Sequence, residues 1–363
     1  MPGAPACWRP MWVWLVPVAS LGVLVGAVVA GVGSVLALLC GIGLIGSVIA
    51  GVHHAEVVAH RVGEPFGTLV LAISITVIEV SLILSMMLAG GKDAGEVPRD
   101  TIYAAVMIIS NGVVGICVFL GGLAHREQNF RVEGAGAGLA ALIAMATLSL
   151  VLPDFTTTTR AGTYSTAQLA FVAVASLALW CVFVFFQTVR HRDYFLPVAH
   201  QEDPDAHATP PSLAQTWASF GLLLVSLVAV VGLAKMMSPT IEHAIEAAGA
   251  PESVIGIVIA LLVLLPEGTA AVRAARADRL QTSMNLAIGS ALASIGLTVP
   301  AVVVAAVAFG LPLVLGLEPK DIALLFLTFV VSAVTLGTGR TNLMQGAVHL
   351  VIFAAFLFLA FVR

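Results

Sequence analysis

Residues Gly67 to Ala89 read GTLVLAISITVIEVSLILSMMLA, an apolar stretch with one charged side chain, Glu79. Its length suffices to cross a hydrocarbon core, which takes about 20 residues of helix. Stretches of the same kind recur from Met11 to Val362. Of the 363 residues, 60% are hydrophobic and only 10% charged, too little polar surface to clothe a water-soluble fold. The bilayer is therefore the solvent for most of the chain. In lipid every backbone polar group must pair internally, and these runs lack the alternation of barrel strands, so the spans are predicted to be helices.

Eleven spans fit the pattern: Met11 to Gly31, Ser34 to Gly51, Gly67 to Ala89, Thr101 to Ala124, Gly134 to Leu152, Tyr164 to Gln187, Thr216 to Met237, Ser253 to Val272, Thr282 to Gly310, Lys320 to Gly337 and Leu343 to Val362. Gly31-Val32-Gly33 is the expected turn between the first two. A polar connector rich in His, Asp, Glu and Pro runs from Thr188 to Gln215. With the first span set apart, five spans precede the connector and five follow it, so the two groups lie in opposite orientations. The expected architecture is an all-α polytopic membrane protein. It has an extra N-terminal helix (1–33), a first five-helix repeat (34–187), a polar cytoplasmic connector (188–215) and a second, inverted repeat (216–363). Inverted repeats put substrate sites near the midplane where the halves meet.

Lys and Arg are biased to cytoplasmic loops. The N-terminal side of these spans collects Arg9, Arg61, Arg126, Arg131, Arg190, Arg192, Arg273, Arg276, Arg279 and Arg340, against Lys92, Arg99, Arg160, Lys235, Lys320 and Arg363 opposite. The N-terminus and connector are thus expected to be cytoplasmic. The apolar run after Arg9 is far longer than a signal-peptide core and reads as a retained membrane hairpin. A formal charge of -4 without a Lys/Arg block leaves no footprint for nucleic acid. Cys7, Cys40, Cys117 and Cys181 show no metal-binding spacing and read as small apolar fillers.

Two carboxylates stand inside the spans: Glu79 in ITVIEVSLILSMM and Glu267 in LLVLLPEGTAAV. Each lies roughly 18 to 20 Å along its helix, near the bilayer midplane. No span offers a central Lys or Arg partner, and an unpaired ionised carboxylate there costs several kcal/mol. Protons, a cation or both must satisfy them, unless each is merely protonated and bonded to a neighbouring helix. Both occupy the second span of their group of five, where an inverted repeat brings them face to face. Each of these spans is followed by one with small and polar residues: Ser110-Asn111-Gly112 in the first half, and Gly289-Ser290 through Ser294 in the second. Helix breaks or close approach at these glycines would free carbonyls to line a cavity. A hard divalent cation needs six to eight oxygen ligands, which two carboxylates, hydroxyls, an amide oxygen and carbonyls or waters can supply. The plainer reading of the small residues is close helix packing. Thr76, a turn before Glu79, and Pro266, just before Glu267, are secondary candidates.

The segments HHAEVVAHRVGEPFGTLVLAISITVIEVSLILSMMLAGG from His53 and LLVLLPEGTAAVRAARADRLQTSMNLAIGSALASIG from Leu261 resemble the calcium/proton exchangers, in particular their bacterial branch. The span plan resembles that family over nearly the whole chain. The resemblance implies that Glu79 and Glu267 bind the cation, as its metal ligands, and protons in alternation. It also matches Ser110 and Asn111 to the family's first-repeat Ser-Asn pair, and Gly289 to Leu292 to its second-repeat Gly-Ser-Ala-Leu. Where many members carry Gly-Asn ahead of each glutamate, this chain has Ile75-Thr76 and Val263-Leu264, so sodium or potassium stays open beside calcium. The expectation is a secondary active transporter in a bacterial inner membrane, exchanging a cation for protons by alternating access. It is not expected to be an enzyme, and no cofactor is called for; a channel and an intramembrane acid–base enzyme are the rivals. The oligomeric state is not legible.

Lesser features carry plainer readings. His53, His54, Glu56 and His60 form either a pH-sensing cluster or a solvated helix end. Glu64 before Pro65 favours a helix N-terminus. His191, His200, Glu202, Asp203, Asp205 and His207 read as linker residues in preference to a weak metal site. Arg273, Arg276 and Arg279 read as a headgroup anchor, and His349 as a hydrogen-bonded packing residue.

Overall fold

A computed structural model describes residues 11–63, 66–89, 94–196, 211–247, 249, 251 and 253–362. Cys7, Arg9, Glu64, Pro65, Lys92, His200, Glu202, Asp203, Asp205, His207 and Arg363, all read above, lie outside the described residues. Helices α1 (Trp12–Ala30), α2 (Ser34–Val62), α3 (Phe66–Ala89), α4 (Val97–Met107), α5 (Val114–His125), α6 (Val132–Ala146), α7 (Thr166–Phe185), α8 (Leu213–Ala247), α9 (Ser253–Arg276), α10 (Leu280–Phe309), α11 (Pro319–Leu336) and α12 (Leu343–Phe361) make up nearly all of it. A π-helical stretch, Ile108–Val113, fuses α4 and α5 into one span. Among the described residues eleven helical spans are long and apolar enough to cross a membrane, as the sequence predicts.

The chain forms two compact units, each drawing on both sides of the connector. The first gathers α1, α2, α3 and most of α8. Gly31, at φ 75°, ends α1 in a conformation that glycine adopts without strain, and α2 starts at Ser34. Ser20 Oγ donates to the Gly43 carbonyl at 3.1 Å, sealing the hairpin. At Gly51 of α2, Ile78 of α3 and Ser226 of α8 both come within contact distance. The second span is longer than the sequence suggested: α2 runs on past Gly51 to Val62. His54 therefore sits inside the helix, 1% exposed, and its Nε2 lies 3.1 Å from the Val13 carbonyl, so the solvated-end reading fails for it.

The second unit holds α4 to α7 and α9 to α12. Its packing is set by glycines. Gly115 lets the His349 and Leu350 side chains of α12 approach α5, and Gly346 of α12 lies against the Phe119 backbone. Gly256 does the same for α9 on α4, where an added Cβ would meet the Asp100 backbone at 2.6 Å. One end is stapled by two three-residue strands, β1 (Glu127–Asn129) and β2 (Arg340–Asn342), paired antiparallel, which the sequence reading did not foresee. Gln128 Nε2 adds bonds to the Ala275 carbonyl and Asp278 Oδ1, both at 2.9 Å, and Asn285 Nδ2 bonds the Phe195 carbonyl at 2.6 Å. At the other end Arg99 pairs with Glu96 and Asp100 at 2.8 Å each.

Candidate cation site

In the first unit, α3 turns a continuous face inward. Ser74, Ile75, Thr76, Ile78, Glu79, Leu82 and Ile83 are all buried, and Glu79 is 2% exposed. Past Gly67 the stretch meets no glycine or proline before Ala89, so the helix runs unbroken and side chains return to the same face with its period. Thr76 Oγ1 donates to the Ala72 carbonyl at 2.9 Å, which uses its hydrogen and leaves its oxygen lone pairs.

In the second unit, Glu267 lies on α9 one residue after Pro266. Proline has no N–H, so the Leu262 carbonyl loses its helical donor just before the carboxylate. Ser290 of α10 donates its hydroxyl hydrogen to Glu267 Oε2, a bond between two neighbouring helices. Ser294, one turn on, is 4% exposed. Of the two expectations at Gly289, a helix break or close approach, neither is met: α10 is α-helical from Leu280 to Phe309, and no other element comes within contact distance of a Cβ at Gly289. The irregular backbone is in the other glycine segment instead. Ser110 and Asn111 lie in the π-helical stretch, packed against both α9 and α10. Such single π-turns cluster at functional sites because they shift side chains and loosen backbone bonds. Gly112 inside this stretch and Gly115 just after it are close-packing residues against Phe353 and His349.

The structure thus joins Glu267 to Ser290 and sets the Ser110-Asn111 turn against the helices that carry them. Glu79 and Thr76 stand in the first unit. Asn111 is fully buried and bonded to partners that the sequence reading did not connect with it. Its Nδ2 lies 2.9 Å from Thr328 Oγ1 of α11, and its Oδ1 lies 3.1 Å from His349 Nδ1 of α12. His349 Nε2 in turn lies 3.1 Å from Thr335 Oγ1. The only local signal was polar residues within apolar spans. A small cavity of about 20 Å³, room for one water, is lined by Ser110, Ser332, His349 and apolar side chains.

The pattern of the sodium/calcium exchanger protein family matches residues 30–189 and 218–362. The chain belongs to that family. Among its relatives, the ionic transporter y4hA of Sinorhizobium fredii is 48% identical, over 97% of this chain and 96% of its own. The sodium-potassium/proton antiporter ChaA of Escherichia coli is 37% identical, over 89% of this chain and 88% of its own. The structure of native YfkE superposes with a TM-score of 0.74 over 97% of this exchanger and 100% of that chain, a shared fold at 16% identity. The exchanger is an integral membrane protein of a cation-transporting family, as the segments around Glu79 and Glu267 implied.

Proposed function

We propose that this exchanger moves calcium against protons by alternating access, with Glu79 and Glu267 as its cation- and proton-binding carboxylates, one in the second span of each of two inverted repeats, 34–187 and 216–363. The observation that carries the reading is a carboxylate on each of two membrane-crossing helices, one of them 2% exposed and the other accepting the Ser290 hydroxyl. An ionised carboxylate is not left unneutralised in a low-dielectric interior. A cation binds when the acids are ionised, protons replace it for the return step, and the empty charged site is too costly to carry across. That cost enforces exchange over leak. Ser110, Asn111, Ser290, Ser294 and Thr76 supply further oxygens to the cation.

A second reading, sodium or potassium for protons, is favoured by the 37% identity to ChaA, a sodium-potassium/proton antiporter. Ile75-Thr76 and Val263-Leu264, which bring few side-chain oxygens toward a divalent ion, support it too. The bacterial sources of y4hA and ChaA support placement in a bacterial inner membrane, and the bias of Arg and Lys between the two sides of the spans supports a cytoplasmic N-terminus. The connector, 188–215, then lies on that same side.

The test is reconstitution in liposomes under an imposed proton gradient, with calcium, sodium and potassium fluxes measured in turn. Glu79→Gln and Glu267→Gln each keep shape and hydrogen bonding but fix the charge at zero, so each is expected to reduce coupled flux to the level of empty liposomes while remaining folded. Undiminished proton-coupled exchange in either variant overturns the role of that carboxylate. The ion that dissipates the gradient in the parent protein decides between the two readings.

A further inference from the structure

The hydrogen-bond chain around Asn111 fixes its own donors and acceptors. Thr328 Oγ1 lies 2.8 Å from the Leu324 carbonyl and 3.4 Å from Met107 Sδ, both acceptors, so its one hydrogen points to them. Toward Asn111 the hydroxyl can then only accept, and the amide group it faces at 2.9 Å is Nδ2. That turns Oδ1 to His349. An amide oxygen only accepts, so Nδ1 bears the hydrogen of the neutral ring. Nε2 is left as an acceptor, and Thr335 Oγ1 donates to it at 3.1 Å. Thr328, Asn111 and His349 are fully buried and Thr335 is 2% exposed, so no bulk water substitutes for any partner.

A side chain that merely filled this space would need neither ring nitrogen. Here both are committed, three helices supply the chain, and a glycine makes room for it: a Cβ at Gly115 would stand 3.0 Å from His349 Cβ. We propose that His349, steadied by Thr335, is a positioning residue that holds the Asn111 side chain with its oxygen, and not its NH2, in the orientation that serves the cation. One lone pair of Oδ1 accepts from His349 and the other stays available to an ion. Without the ring donor the amide is free to turn over, and an NH2 group repels a cation. The inference rests on Asn111 being a cation ligand.

The experiment measures initial rates of calcium and of sodium uptake in proteoliposomes at a fixed proton gradient. His349→Leu removes the donor. His349→Asn keeps it, because its Nδ2 takes the place of the ring Nδ1. Thr328→Val removes the other anchor of the amide. The expected result is a KM for the transported ion raised about tenfold by His349→Leu and by Thr328→Val, kcat within about twofold of the parent, and near-parental KM in His349→Asn. A purely structural role would lower kcat and the melting temperature with KM unchanged, alike in the Leu and Asn variants, and that outcome overturns the proposal. If His349→Leu does not fold, an unaltered KM in Thr328→Val overturns it. Asn111→Ala separates the two layers. A raised KM there with no effect at His349 sinks only the positioning role, whereas an unchanged KM removes Asn111 from the ligand set and the inference with it.

Discussion

Ser290 and Glu267 are 23 residues apart in the chain, on successive helices, and one hydroxyl joins them. A hydrogen bond to a charged group contributes about 1.5–3 kcal/mol, more than a neutral one, because the ionised acceptor attracts the donor hydrogen more strongly. Ser290→Ala removes that donor and, in the proposed site, a ligand oxygen. The KM for the cation is expected to rise at least tenfold, at about 1.4 kcal/mol per decade, and Ser290→Thr is expected to restore it. Equal KM values for parent and alanine variant in liposome uptake would count against a role in binding. Glu79 and Glu267 could be singled out from the sequence as candidates because an acid in an apolar run is a local anomaly, visible without knowing what lies beside it. The partners of Asn111 could not. Thr328 and His349 stand 217 and 238 residues away, and nothing in a one-dimensional pattern says which polar residue of one span meets which of another.

Among elements, α1 shows how one residue type dictates another. Pro17 lies inside that helix and lacks the N–H that the Val13 carbonyl would accept four residues back. His54 Nε2 supplies the donor at 3.1 Å from across the hairpin, so a defect in α1 becomes a tie to α2. A buried carbonyl left unsatisfied costs about 1–3 kcal/mol. His54→Leu is therefore expected to destabilise the protein by that amount, and by about 1 kcal/mol less in a Pro17→Ala background, where α1 regains its own donor. Denaturation in detergent of the parent, the two single variants and the double variant measures the coupling. Strict additivity would mean that His54 does not act as the missing donor. Element boundaries were legible where glycine turns mark them, as at Gly31, but not at Gly51, which looked like a span end. It is a packing glycine in mid-helix, and histidines that looked solvated were carried on into the helix.

At the scale of the molecule, the span order was legible because hydropathy over about 20 residues integrates many weak signals. The compact units were not legible, since each is assembled from segments on both sides of the connector. Orientation rests on charge. In the second unit Arg126, Arg190, Arg192, Arg273, Arg276 and Arg340 are exposed at or just beyond helix ends, on the side that also carries the β1–β2 staple. The opposite side of the same unit carries Glu96, Asp100, Asp154, Glu318 and Asp321, with Arg99, Arg160 and Lys320 among them. Translocating arginines across a membrane is disfavoured, so the proposed orientation puts the arginine-rich side in the cytoplasm. Thr158, in a loop, and Asp193, in the short 3-10 turn Arg192–Phe195, are exposed at opposite ends of the sixth span, Thr166–Arg190. In a variant stripped of its native cysteines, Thr158→Cys is expected to react with a membrane-impermeant maleimide in intact cells. Asp193→Cys should react only after the membrane is opened. The reverse pattern would turn the molecule over in the bilayer, and the N-terminus and connector would then face outward.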